Sequence, residues 1–249
     1  MARLNVGNKV IECNLVIFDK DGTLIDQHLS LLELAKARRK NVQKHVGEKT
    51  AELWEKIVGV DLRKEKIDHD GPLATAPRRE EILVAAATFY LNGFSWSEAR
   101  KVAQKAYDEA DDSMKPPYGM ILHDGVKEML TLLKRHGLNL AIASTDTHKR
   151  TEEAFKTLKI ASLFDAIVGS DDVPFGKPSP DMIFKALKKT ESKPDEAVIV
   201  GDSMSDMQMG RNAGVKACIG VLTGFTPREK LEQLADVVVP SVAELHALL

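Results

Sequence analysis

Short apolar runs recur along this chain, and most of them end in glycine, serine or aspartate. The clearest are Leu15-Val16-Ile17-Phe18, Leu138-Asn139-Leu140-Ala141-Ile142-Ala143, Ala166-Ile167-Val168-Gly169 and Ala197-Val198-Ile199-Val200. Val215-Lys216-Ala217-Cys218-Ile219-Gly220-Val221 and Val237-Val238-Val239 are of the same kind. Runs of this length without polar alternation predict strands buried on both faces. The segments between them predict helices over 126–136, 148–158, 181–189 and 205–213, with a closing helix over 241–248. Strand and helix in turn imply an α/β fold with a parallel sheet and right-handed crossovers. Ahead of it, Leu4-Asn5-Val6 and Lys9-Val10-Ile11-Glu12 flank Gly7-Asn8, which predicts a hairpin with a type II′ turn that extends the sheet edge.

Between Asp26 and about Pro116 the pattern changes. Strand-like runs vanish, and stretches rich in Leu, Ala, Lys, Arg and Glu take over. Arg78–Phe89 is strongly helical in propensity. Ser95-Trp96-Ser97-Glu98 has the spacing of a capping box and opens a helix to about Asp112. About four helices are expected here, an all-α insert of the kind helix bundles make. Lys115-Pro116-Pro117-Tyr118-Gly119 breaks helix and reads as the return linker. The expected division is therefore a core of residues 1–26 and 117–249 and a helical domain of 27–116.

Composition narrows the function classes. Thirty-five basic and 37 acidic residues leave a net charge of −2, so no global field favours nucleic acid or acidic lipid. No apolar run approaches the ~20 residues a membrane helix needs, and Met1–Gly7 lacks the apolar centre of a signal peptide, so a cytoplasmic protein is expected. The two cysteines, Cys13 and Cys218, lack zinc-site spacing and are expected to be reduced packing residues.

Candidate chemistry gathers at the strand ends. Leu15–Phe18 runs straight into Asp19-Lys20-Asp21-Gly22, and side chains two apart on a strand point the same way. Two crowded carboxylates repel unless a cation sits between them or one is protonated. The strand at 197–200 runs through Gly201 into Asp202-Ser203-Met204-Ser205-Asp206, and the strand at 138–143 ends in Ser144 and Thr145. Between these two lies Lys177, held in Phe175-Gly176-Lys177-Pro178. Acids, a hydroxyl and a cation thus sit just past strands or in tight loops, where open α/β sheets place their ligands.

These four segments resemble, in order and rough spacing, the four motifs of the haloacid dehalogenase superfamily, from about residue 14 to residue 223. The resemblance implies a Rossmann-like core with a helical type 1 cap, hinged beside the catalytic strand end, and a phosphoglycolate phosphatase-like enzyme. It implies that Asp19 attacks phosphorus and that Asp21 is the general acid/base. It assigns Mg²⁺ to carboxylates of Asp19 and Asp202 and the backbone carbonyl of Asp21, with Asp206 reaching it indirectly. Ser144, the Thr145 backbone and Lys177 are assigned to the phosphoryl group. The implied partner is a small phosphorylated metabolite, with no nucleic acid or membrane and an open oligomeric state. Asp21 argues against the dehalogenase and phosphonoacetaldehyde hydrolase branches, which lack an acid there. A β-phosphoglucomutase-like mutase usually has adjacent Glu-Asp in the last motif, whereas Gly201 precedes Asp202 here. The remaining alternative is a silent binding protein, which should have lost an acid or Lys177.

Other features read as structural. Lys36–Lys40 is expected to be a solvated helix face, Asp124 (beside His123) a helix cap, and Trp54, Phe89 and Tyr90 core of the insert. Arg78, Arg79 and Lys115 are secondary candidates to meet an anionic substrate.

Overall fold

In the computed structural model, which describes residues 2–114 and 120–248, strand pairing begins before the main sheet. β1 (Ala2–Val6) and β2 (Lys9–Cys13) run antiparallel around Gly7, whose φ of +57° suits the first central position of the expected turn. β3 (Leu15–Phe18) follows and is buried throughout. The chain divides into two units, Met1–Gln27 with Met120–Leu249 and, separately, His28–Gly119. The segment Lys115–Gly119, expected to be the return linker, lies outside the described residues.

The inserted unit contains α1 (Gln27–Val46, entered from the core side), α2 (Glu48–Val58), β4 (Val60–Asp61), β5 (Lys66–Ile67), α3 (Pro72–Thr75), α4 (Arg78–Leu91) and α5 (Trp96–Ser113). It differs from the all-α expectation by the short β4–β5 ribbon and one extra helical turn. Ser95 and Glu98 form the capping box that opens α5. Trp54 and Phe89 are fully buried as expected, whereas Tyr90 is 55% exposed and stacks edge-on against Trp96. The basic run on α1 is not wholly solvated either. Arg38 is buried, donates to Glu81 and lies 4.6 Å over the Tyr107 ring, while Trp54 Nε1 donates to Tyr107 Oη at 3.1 Å. Packing of α1 against α4 and α5 turns that face inward, where a lysine-rich reading of the run could not place it.

After the insert come α6 (Val126–Arg135), β6 (Asn139–Ala143), α7 (His148–Thr157), β7 (Ala166–Val168), α8 (Asp181–Lys189), β8 (Ala197–Gly201), α9 (Met204–Ala213), β9 (Ala217–Val221), α10 (Arg228–Leu231), β10 (Val237–Val239) and β11 (Leu245–Leu248). The main sheet is parallel, with order β10-β9-β8-β3-β6-β7. Leu15 and Ile17 enter the apolar cluster on one face, and Val16 and Phe18 the cluster on the other. Both faces are covered, which is why these strands are unbroken apolar runs. Asp124 does not cap α6: Gly125, at φ +78°, takes that position without a side-chain bond.

The C-terminus departs most from expectation. Instead of a closing helix, Val242–Glu244 makes one 3₁₀ turn and β11 pairs antiparallel with β1. Leu245 is buried against the core while His246 is exposed, a two-residue period that suits a strand. With β11 on its free edge, the N-terminal hairpin forms a separate three-stranded sheet and does not extend the main one. Among the described residues, no helix is long and apolar enough to cross a membrane.

Leu245 joins Leu4 and Val6 in the core cluster. Leu245→Ala should therefore lower unfolding free energy by about 2–5 kcal/mol in urea titration. A change below ~0.5 kcal/mol, typical of surface sites, would show that β11 is an adornment.

Candidate active site

β3 lies at the point where the strand order reverses: the chain leaves it for β6 and β7 on one side and returns to β8 and β9 on the other. Open α/β sheets bind ligands at the carboxyl ends of strands beside such a point. Register does the rest. Phe18 pairs with Ile142 of β6 and with Val200 of β8; β3 ends there, and its two neighbours run one residue further, to Ala143 and Gly201, so all three strands end within one residue of each other. Asp19 N–H still donates to Val200 O at 2.9 Å, and Ser144 N–H to Val168 O at 3.0 Å.

Asp19, Asp202 and Asp206 each offer a carboxylate oxygen within 4.8 Å of the others, and all three are buried. Lys177, with its side chain 3% exposed, donates to Asp19 and places Nζ 2.7 Å from Asp206 Oδ1. The second contact is an ion pair without hydrogen-bond alignment, so Asp206 Oδ1 remains a buried oxygen with no hydrogen-bond partner. Asp206 Oδ2 serves differently: it accepts from Ser203 N–H at 3.1 Å and Ser203 Oγ at 2.6 Å in the box that opens α9. The capping and site readings of Asp206 are thus divided between its two oxygens.

Burial raises Asp19 to about 6, with Lys177 opposing and Asp206 and Asp21 adding. Burial, then the neighbouring charges of Asp19 and Asp206, raises Asp202 to about 8. Burial works against the Lys177 ammonium, but Asp19 and Asp206 outweigh it and hold the group above its ordinary value. One ammonium faces three buried acids, an imbalance that a further cation would relieve.

Glycines keep the space around Asp202 open. A Cβ on Gly224 would sit 1.8 Å from Asp202 Oδ2, and one on Gly22 would sit 2.6 Å from it. On Gly201 it would meet the Asp206 Cβ at 2.5 Å. Thr23 Oγ1 donates to Asp202 Oδ1 at 3.1 Å, and Thr223 Oγ1 donates to Gly22 O at 2.7 Å. A dense set of hard oxygen donors, one of them a buried carboxylate oxygen with no hydrogen-bond partner, fits a small divalent cation such as Mg²⁺.

Asp21 is more open, with its side chain 35% exposed, and both of its oxygens meet Lys20 Nζ, at 2.7 and 2.6 Å. Ser144 is buried, and its Oγ accepts from Asp146 N–H at 3.1 Å. Thr145 is exposed beside it. The strand ends therefore bring together Asp19, Lys177, Asp202 and Asp206, while Asp21, Ser144 and Thr145 lie on the loops that leave β3 and β6. The insert candidates are otherwise engaged: Arg78 pairs with Asp108 and Asp111 at 2.6 Å each, and Arg79 reaches Glu80 at 3.6 Å. Lys115 lies outside the described residues.

Sequence reasoning missed Lys20, Thr23, Asp146 and Gly224. Alternation along β3 was a usable signal for Lys20, because a charged residue between two outward acids must point elsewhere. Nothing local marks Gly224, which matters only through Asp202.

Comparison with known proteins places the chain in a family. Residues 16–220 match the family model of haloacid dehalogenase-like hydrolases. A protein of Caldanaerobacter subterraneus, provisionally named pyrophosphatase PpaX, is 30% identical over 88% of this chain and 86% of its own length. A phosphoglycolate phosphatase of Pseudomonas fluorescens is 26% identical over 85% of this chain and 70% of its own. In fold, a Thermotoga maritima structure, provisionally named beta-phosphoglucomutase, gives a TM-score of 0.67 at 23% identity, over 93% of this chain and 95% of that one. The chain belongs to the haloacid dehalogenase-like hydrolases, and it is an enzyme of their phosphatase kind.

Two measurements test the site. Asp19 and Asp202 hold protons more tightly folded than at their ordinary value of 3.8, so their contribution is complete below pH 4 and is lost as pH rises through about 6 and about 8. In thermal melts, the gain in Tm on adding Mg²⁺ to EDTA-treated protein should grow from pH 5 to pH 8.5. A gain independent of pH would exclude these acids as the ligands. Gly224→Ala should push Asp202 aside and lower Mg²⁺ affinity, read by titration of Mg²⁺-dependent Tm, by about 10–100-fold.

Proposed function

We propose that this protein is a Mg²⁺-dependent phosphatase that hydrolyses a small phosphorylated metabolite through a phosphoaspartyl intermediate. The observation that carries the reading is the Asp19 carboxylate at the tip of the switch-point strand, held by Lys177 and flanked by buried Asp202 and Asp206. A phosphate monoester resists hydrolysis because it is anionic and repels nucleophiles. An effective site positions the attacker, neutralises the equatorial oxygens and protonates the leaving group.

Asp19 is the nucleophile. Its Oδ forms a bond to phosphorus as the ester P–O bond breaks, and protonated Asp21 gives its proton to the departing alkoxide. Asp21, now a carboxylate, takes a proton from water as that water attacks the phosphoaspartyl group. The P–O bond to Asp19 breaks, and inorganic phosphate leaves. Each step returns Asp21 to the state the other needs. Lys177 holds Asp19 in line and offsets phosphoryl charge, with the Ser144 hydroxyl and Thr145 N–H on the transferred group. A Mg²⁺ ion on Asp19, Asp202 and the Asp21 carbonyl, with Asp206 acting through water, would supply charge neutralisation between nucleophile and phosphate.

The relatives' names favour small phosphorylated substrates, phosphoglycolate and pyrophosphate among them, over macromolecules. A cytoplasmic setting is part of the same reading. The mutase alternative is favoured by fold likeness alone, and that likeness is below 25% identity.

Phosphate release from p-nitrophenyl phosphate should require Mg²⁺, vanish with EDTA and fall to background in Asp19→Asn. Asp21→Asn should slow esters with poor leaving groups by about 10²–10⁴-fold. Undiminished turnover of a poor-leaving-group ester by that variant would remove Asp21 from the mechanism.

A further inference from the structure

We propose that Lys20 is a positioning residue for the acid/base carboxylate, fixing Asp21 by both oxygens and tethering it through Asp146 to the loop that carries Ser144. The proposal rests on the phosphatase reading above and adds a residue that the reading does not use. Lys20 sits between the two acids in sequence, yet its side chain is 2% exposed and turned away from solvent. Its Nζ lies 2.7 and 2.6 Å from the two Asp21 oxygens and 3.0 Å from Asp146 Oδ2. Among the described residues, the ion pairs of the Lys20 ammonium are with Asp21 and Asp146 and not with Asp19, so it serves the second acid and not the first.

Both ends of the tether are anchored. The Lys20 carbonyl accepts from Leu24 N–H and Ile25 N–H at 3.0 Å each, which closes the loop after β3. Asp146 donates its N–H to Ser144 Oγ at 3.1 Å and accepts from Ser170 N–H at 2.8 Å through its carbonyl. Arg150 Nε, 3.8 Å from Asp146 Oδ1, is a second cation on that carboxylate. A buried ammonium bonded to two carboxylates on different loops makes charge-assisted bonds that restrict both.

The arrangement leaves Asp21 able to react. A carboxylate has about four lone-pair sites. Lys20 takes one on each oxygen, and the outward ones stay free for the proton that is given and regained. A carboxylate on a half-exposed loop would otherwise sample several rotamers, few of them in reach of a leaving oxygen. A counter-ion with no catalytic role would stabilise the loop but would not distinguish one leaving group from another.

Leaving groups therefore supply the test. For a phosphoenzyme mechanism, kcat/KM reports steps through loss of the leaving group, and kcat also includes phosphoenzyme hydrolysis. p-Nitrophenolate departs without a proton; phenolate and alkoxides need one more. In Lys20→Met, kcat/KM for p-nitrophenyl phosphate should stay within about 3-fold of wild type, with kcat and KM falling together. For an alkyl phosphate such as glycerol phosphate, kcat/KM should fall by about 10²-fold. Equal losses on both substrates, no loss on either, or a rise in KM alone would overturn the proposal.

If Lys20→Met does not fold, Asp146→Asn carries the test. A loss confined to the alkyl ester supports the tether, and a loss shared by both esters or absent from both overturns it. Asp21→Asn separates the two levels of the argument. If it lacks leaving-group selectivity, the acid/base assignment itself fails; if it has that selectivity and Lys20→Met does not, only the role of Lys20 fails.

Discussion

Three buried carboxylates crowd together at the tip of the central parallel strand with one ammonium paired to two of them, and the rest of the core is arranged around holding them there. Like charges in a dry site are costly, and raised proton affinity at Asp19 and Asp202 is the visible consequence. The fold offsets this through backbone that costs little to place. β3 is paired on both sides, so Asp19 leaves the sheet from a fixed point. Ser203 and Asp206 cap α9 reciprocally, so one oxygen of Asp206 is committed to the helix and the other is aimed inward. Glycines at 22, 201 and 224 let the loops approach where a Cβ would collide.

The same crowding sorts the acids by their surroundings. Asp19, Asp202 and Asp206 are buried, and Lys177 pairs with the first and the last of them, whereas Asp21 is half-open and has its own lysine. Two carboxylates two residues apart in sequence thus occupy different electrostatic surroundings. The roles proposed for them differ too: Asp21 must alternate between acid and base, while Asp19 must act as an anion although burial raises its proton affinity, a cost that Lys177 opposes.

The inserted unit repeats the theme of charge burial on a smaller scale. Arg38 and Glu81 meet inside the helical core against Tyr107, and burial lifts Glu81 to about 7 despite the arginine. Such pairs are weak evidence of stability, because desolvation offsets much of their attraction. Here the pair joins α1 to α4 and so restricts how the two helices can pack.

Much of this was readable from the chain alone, and the reason is local. Doubly buried strands must be continuous apolar runs, so β3, β6, β8 and β9 announced themselves, as did the acids, serine and lysine at the loops. The Ser95–Glu98 capping box was legible because its bonds span one turn. What depended on distant partners was not legible. Residues 241–248 have a composition open to helix or strand, and only the free edge of β1 decided for β11. Tyr90 looked like core and is exposed, Arg38 looked solvated and is buried, and Asp124 yielded its capping position to Gly125. Gly224 and Asp146 draw their bearing on the site from Asp202 and Lys20, which are far away in sequence and adjacent in space. Periodicity and short-range bonding are written in neighbouring residues, while edge pairing, burial of a charge and clearance around a carboxylate are properties of surfaces that exist only once the chain has folded.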